Sequence, residues 1–421
     1  MAPAKDPPVP KAEVTIVRAL AKRVREIAND PVNLERQRQW TRHNDLQPGP
    51  PLVLIEMGGV MSELGQEFPC QCQHPFARGI EGHLRSQIYN FEVLKDDRVI
   101  PPYLTCNWHV SFGDYGVQSE KHRGDNAGKL GSYVWEPPLK KLPDDLAKLH
   151  PRHPSVDREA TLKNKAQLEE LVGGILPVQL RGGLWWTMGM TWSAIDLIGL
   201  EQLMLVMFDA PAGLHQLMAF LRDDHLAVSE WCEKEGLLTL NNEADYIGSG
   251  SVGYTSHLPQ RGLKPGQPAR RRDLWVLSES QETVGVGPTQ FAEFIFPYQQ
   301  AVAEKFGLCY YGCCEPVHNR WDIVKGFANL RKLSVSPWCD EAKMAAACGR
   351  QYGYCRKPNP TLISTPRWDE ALILADLKKT LTAARACNLE FAMKDVHTVA
   401  NEPRRLARWV ELARQAIAES C

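Results

Sequence analysis

From Pro50 onward, short and nearly uninterrupted apolar runs alternate with longer amphipathic segments, the pattern of β/α units that feed a parallel sheet. The runs Leu52–Met57, Val99–Asn107, Leu237–Asn241, Leu274–Leu277, Cys309–Gly312, Arg331–Val335, Tyr352–Cys355 and Phe391–Lys394 predict strands. Val178–Leu184 offers a ninth for the eight places of a barrel, so one is surplus. Helical spacing of apolar residues predicts helices over Ala12–Asn29, Ala212–Lys234, Pro288–Phe306, Asp369–Cys387 and Glu402–Ile417. Strand, polar loop and helix recur about every 30 residues, as a β/α barrel demands. The expected architecture is a single (β/α)8 TIM-type barrel over 12–421 with an N-terminal helical extension. A proline-rich disordered lead at 1–11 precedes it, and a glycine-rich then proline-rich loop insertion occupies about 108–170.

Charge and composition narrow the function classes. With 49 basic and 50 acidic side chains and a net charge of −1, the chain lacks the basic field that a phosphate backbone requires, so nucleic acid is not expected as a partner. No run of 18 apolar residues predicts a membrane span, and the opening residues carry no secretory h-region. Twelve cysteines in 421 residues are too dilute for a disulfide scaffold, so a reducing cytoplasm is the expected compartment. An oligomer is compatible with this composition.

Three short motifs carry candidate chemistry. Gly248-Ser-Gly-Ser-Val-Gly253 matches a dinucleotide fingerprint but runs into a proline-rich stretch instead of a helix, which predicts a flexible loop on the substrate side. Cys70-x-Cys72-x-His74 places three ligand types on one face if extended, with no fourth nearby. Cys309-Tyr-Tyr-Gly-Cys-Cys-Glu-Pro-Val-His318 is the sharpest feature, because an apolar strand ends in two thiols, a carboxyl and an imidazole. Strand alternation predicts that Cys313 and Cys314 point apart, one a ligand and the other packing. Neighbouring strand ends run into Glu279 and Glu282, Trp338, Arg356, Lys357 and Asn359, and Lys394, Asp395 and His397. In a barrel the residues just past the strands form the active face.

On these features the sequence resembles the uroporphyrinogen decarboxylase superfamily, single β/α barrels that include zinc-dependent methyltransferases working with a corrinoid. The resemblance lies in Phe208-Asp-Ala-Pro211, in Val286-Gly-Pro288 with Phe291, Phe294, Pro297 and Tyr298, and in Tyr311-Gly-Cys313, over roughly 180–415. Leu54-Ile-Glu-Met-Gly-Gly59 has no arginine where the decarboxylases bind substrate carboxylates, which argues against a porphyrinogen. The methyltransferase branch holds zinc with a His-x-Cys pair and a later cysteine. Here Tyr311 stands at the histidine, Cys313 at the cysteine and His397 near the last ligand.

The resemblance implies a metal-dependent methyltransferase moving a methyl group between a small methylated substrate and a corrinoid (cobalamin-type) cofactor, either free or carried by a partner protein. Zinc would be held by Cys313, His397 and a carboxylate such as Glu282, with Glu279, Lys394 and Asp395 catalytic. Arg356, Lys357, Asn359 and Trp338 would bind substrate, and Trp185 and Trp186 would offer cation–π faces to a quaternary amine. The alternative is a decarboxylase or lyase of the same fold that holds a small carboxylated substrate with Arg356, Lys357 and Lys394 and protonates with Asp395.

Overall fold

A computed structural model describes residues 8–123, 133–264 and 266–420. Eight of the nine expected runs are strands in parallel pairings: β1 (Leu52–Ile55), β2 (Leu104–Asn107), β3 (Val178–Arg181), β4 (Trp275–Ser278), β5 (Leu308–Tyr311), β6 (Leu330–Val335), β7 (Gly353–Arg356) and β8 (Asn388–Met393). Six of them form one parallel sheet in the order β1-β8-β7-β6-β5-β4, while β2 and β3 pair separately. Among the described residues, ladder hydrogen bonds do not join these two sheets into the expected eight-stranded ring.

Side chains take over where the ladder stops. On the free edge of β1, Asp97 Oδ2 accepts from Val53 N at 2.7 Å and Asp96 Oδ2 from Ile55 N at 3.0 Å. On the free edge of β4, Asn241 Oδ1 accepts from Trp275 N at 2.8 Å and its Nδ2 donates to Trp275 O at 3.1 Å. Leu237–Asn241 is therefore the surplus run: it lies beside β4 but meets it through an amide side chain instead of a backbone ladder. These bonds satisfy edge groups that burial would otherwise leave costly.

Strand alternation sorts the sheet into two buried faces. Val53, Ile55, Val276, Cys309, Tyr311, Leu333, Val335, Tyr354, Phe391 and Met393 point to the outer face, under the helices. Leu52, Leu54, Trp275, Leu277, Tyr310, Cys355 and Ala392 point inward, against Trp40, Ile247, Val252 and Tyr254. The glycine-rich motif is thus no flexible loop. Tyr246–Gly248 pairs antiparallel with Ser251–Val252, and Ser249 and Ser251 are fully buried inside the sheet. A Cβ on Gly253 would lie 2.0 Å from Asn241 O, so only glycine lets this hairpin pack so closely.

Helices follow their apolar stripes. Lys11–Ala28 buries Val17, Ala21, Val24 and Ile27 and packs on Pro75–Tyr89 and on Arg158–Val172, the helix that lies against β2 and β3. Lys11 already belongs to this helix, which shortens the expected lead; residues 1–7 of that lead lie outside the described residues. Pro211–Lys234, Glu370–Ala383 and Arg404–Ser420 form close to expectation. Pro288–Phe306 instead divides into Pro288–Phe294 and Phe296–Ala303, because Pro297 cannot continue the helix through Ile295. The insertion is built from short antiparallel pairs, His109–Ser111 with Ser155–Asp157 and Glu120–Arg123 with Tyr133–Glu136. Residues 124–132 of it lie outside the described residues. Among the described residues no single helix is long and apolar enough to cross a membrane.

Candidate functional site

The first residues past the strands inherit their alternation. Ile55, Ser278, Arg356 and Met393 end strands pointing outward, so Glu56, Glu279, Lys357 and Lys394 turn inward at the C-terminal edge of the sheet. At β5, Gly312 adopts φ +94°, which ends the alternation and lets both following thiols turn to one side. Cys313 Sγ and Cys314 Sγ are 3.7 Å apart, which corrects the expectation that they point apart.

Four groups meet there. Lys394 Nζ donates to Cys313 Sγ at 3.6 Å and lies 3.4 Å from Asp395 Oδ2, while Cys314 donates toward Asp395 Oδ2 at 3.9 Å. β8 and β5 are three strands apart, roughly 14 Å along a flat sheet at ordinary spacing. Contact between their side chains therefore requires the sheet to curve around its inner face. Asp395 holds a left-handed backbone at φ +58°, a conformation aspartate tolerates better than most residues.

The electrostatics divide the two thiols. A hydrogen bond from Cys314 and the ammonium of Lys394 outweigh burial and lower the Cys313 thiol to about 7, whereas Cys314, beside that thiolate, is pushed upward and keeps its proton. Burial, and then the charges of Glu282 and Glu315, raise the Glu279 carboxyl well above its ordinary value. Its Oε2 accepts from Gln281 N at 3.0 Å, while its buried Oε1 has no hydrogen-bond partner. Glu315 clamps the two loops together, accepting from Ser280 N and from Cys313 N, each at 2.8 Å.

One thiolate per chain should therefore form near pH 7, visible as a step in ultraviolet thiolate absorbance. Lys394→Met should move that step upward. A wild-type protein with no step below the ordinary cysteine range near about 8.5 would overturn this assignment. Because the folded value lies below the ordinary 9.0, the group's contribution to stability is fully present above about 9 and is lost as pH falls through about 7.

Beside this cluster lies a cavity of about 740 Å3, lined by Glu56, Tyr103, Arg181, Trp185, Trp186 and Tyr246 among others. Its size and aromatic walls suit a small organic molecule. The cavity and the thiols meet at Glu56 and Tyr246. Tyr246 donates to Glu56 Oε1 at 3.1 Å and accepts from Gly250 N at 2.8 Å, and both side chains act electrostatically on Lys394. Sequence reasoning missed this pair. For Glu56 the signal was available, as the first residue past β1; for Tyr246 there was none.

The remaining expected site residues lie elsewhere. Arg356 ends β7 on the outer face, among the helices, with Nε 3.2 Å from Glu341 Oε2 and a terminal nitrogen 3.4 Å from Asp376. Lys357 does turn inward but is used by the fold, donating to Tyr310 OH and Cys355 Sγ, each at 2.9 Å, and to the Ser249 carbonyl. Asn359 caps its own turn, accepting from Thr361 N at 3.0 Å. Trp338 is exposed and borders a separate surface pocket with His318, Asp340 and Lys379. These four side chains are thus ion-paired, consumed or displaced, and the cavity is lined instead by Glu56, Tyr246, Trp185 and Trp186. Gln71 N and Cys72 N, in the Cys70–His74 motif, donate to Glu81 as the chain enters Pro75–Tyr89, a structural use.

The expected zinc ligands do not fit a metal. Among the described residues no three His, Cys, Asp or Glu side chains are grouped to hold an ion. Glu282 Oε2 accepts from Thr191 Oγ1 at 2.7 Å, and His397 is exposed beside Gly59. Cys313 already faces an ammonium, which would repel a divalent cation at the same sulfur.

No protein-family model matches the chain, and no curated protein does. Among solved structures it is similar to a methyltransferase from Methanosarcina mazei at 13% identity and a TM-score of 0.49, over 91% of this chain and 98% of that one.

Proposed function

We propose that the protein is a methyltransferase that takes a methyl group from a small methylated heteroatom compound, with a corrinoid on a partner protein as acceptor. The observation that carries this reading is a buried carboxyl whose ionisation its surroundings oppose, Glu279, at the same C-terminal edge of a parallel sheet as the Lys394 and Cys313 ion pair. When a methyl group leaves a heteroatom for a nucleophile, the departing atom gains negative charge and needs a proton or a cation. Burial and its acidic neighbours favour the protonated form of Glu279, which serves as the general acid. Lys394, fixed between Cys313 and Asp395, places positive charge where the anion develops. A reduced corrinoid supplies the nucleophile that accepts the methyl group. The cavity is of small-molecule size, so this reading gives it to the methyl donor and places the corrinoid on another protein.

The decarboxylase alternative loses its anchors, because Arg356 is ion-paired under the outer helices and Lys357 is spent on the inner hairpin. Lys394 alone does not replace them, since its ammonium already faces a thiolate. The test supplies cob(I)alamin with a panel of methylated amines, thioethers and methoxy compounds. Formation of methylcobalamin with one of them, dependent on Lys394, is the expected result. No turnover on any donor, with carbon dioxide released from a carboxylated panel, would replace this reading with the alternative.

A further inference from the structure

Acid and ammonium chemistry uses Glu279 and Lys394 and leaves the second thiol of the cluster without a task. The two sulfurs are 3.7 Å apart and differ in access: Cys313 is 3% exposed, whereas Cys314 faces solvent. The Cys313 thiolate is the base beside the Cys314 proton, and Lys394 Nζ holds the Cys313 sulfur at 3.6 Å. An exposed thiol with a base, backed by a buried sulfur held by a cation, is an attacking and resolving pair.

We propose that Cys314 and Cys313 form a modification site for low-molecular-weight disulfides. The Cys313 thiolate, 3.7 Å away, accepts the Cys314 proton, and the Cys314 sulfur so freed attacks one sulfur of the small disulfide. The new mixed disulfide forms as the small S–S bond breaks, and the first small thiol leaves with the proton that Cys313 had taken up. Cys313 then attacks the Cys314 sulfur, the bond between the neighbouring cysteines forms, and the second small thiol leaves, taking its proton from solvent. Two protein thiols are oxidised, one small disulfide is reduced to two thiols, and two electrons are exchanged.

The product is readily reversed. Adjacent α-carbons are about 3.8 Å apart, closer than the roughly 4.4 Å at which relaxed disulfides begin, and a strained bond of this kind is reduced easily. Closing the pair also removes one of the two anionic partners of Lys394 and leaves Asp395, so the modification acts on the same ammonium that the proposed function uses. The chemistry itself is independent of that reading, and its test needs no substrate.

The full-length protein is incubated with glutathione disulfide, remaining thiols are alkylated, and the tryptic peptide 306–320 is sequenced by mass spectrometry. The wild type should lose two hydrogens between Cys313 and Cys314, leave Cys309 alkylated, and regain both thiols in dithiothreitol. Cys313→Ser should instead retain one glutathione on Cys314, and Cys314→Ser should carry none on Cys313. A wild-type peptide alkylated at both positions, a glutathione adduct that persists on Cys314, or a bond that recruits Cys309 or Cys339 would overturn the proposal. The wild-type readout stands even if a variant fails to fold.

Discussion

Lys332→Met should destabilise the protein by about 3–5 kcal/mol, enough to remove much of the stability of an ordinary domain, and should appear as a lowered urea midpoint with an unchanged slope. Lys332 and Glu390 point to the inner face from β6 and β8, both fully buried, with Nζ 2.6 Å from Oε2. Nζ also donates to Ser251 Oγ at 2.7 Å and so ties the inserted hairpin to the sheet. Burial opposes ionisation of Glu390, but Lys332 and the adjacent His43, whose Nε2 is 2.9 Å away, outweigh it and hold the carboxyl well below its ordinary range. Removing the ammonium leaves that carboxylate uncompensated among Trp40, Tyr310 and Cys355. The double variant Lys332→Met with Glu390→Leu should recover part of the loss, since no charge is then left unpaired. A single variant within about 1 kcal/mol of wild type would show that water or His43 replaces the lysine.

The same alternation explains which parts of this architecture could be read from the chain. β1, β5 and β8 were legible because both faces of the sheet are buried, which makes Leu52–Ile55 or Phe391–Met393 apolar at every position. Leu237–Asn241 has the same character, but its pairing is carried by the Asn241 amide, and no apolar pattern distinguishes a ladder from a side chain that imitates one. Proximity to a strand end likewise does not give direction. Arg356 and Lys357 are neighbours, yet one lies under the helices and the other inside the sheet, because β7 runs one residue further than its apolar run suggests. Counting parity from the buried faces selects Glu56, Glu279, Lys357 and Lys394 together. At Cys313 and Cys314 parity fails, because the positive φ of Gly312 is a backbone property that the motif permits but does not announce.

Glu279→Gln should lower turnover of the methyl donor by about 10²–10⁴-fold with little change in KM, because the amide keeps the shape of the side chain and removes the proton it donates. Glu279 sits where a Cβ on Gly189 would come within 2.8 Å of Oε1, and Gln299 donates to its carbonyl at 2.7 Å, so the backbone is fixed from two sides. With burial and two neighbouring carboxylates raising its pKa well above 4.5, the acid form is favoured, and activity should fall as pH rises and Glu279 ionises. Stability should begin to fall earlier in the same titration. A folded pKa above the unfolded value means that stability falls as pH rises past about 4.5, until the group ionises in place. The glutamine variant has no such slope and should be at least as stable as wild type at neutral pH, the trade expected of a strained catalytic group. A variant that lost stability and activity together would instead make Glu279 a packing residue, and the proton would have to come from Lys394 or Asp395.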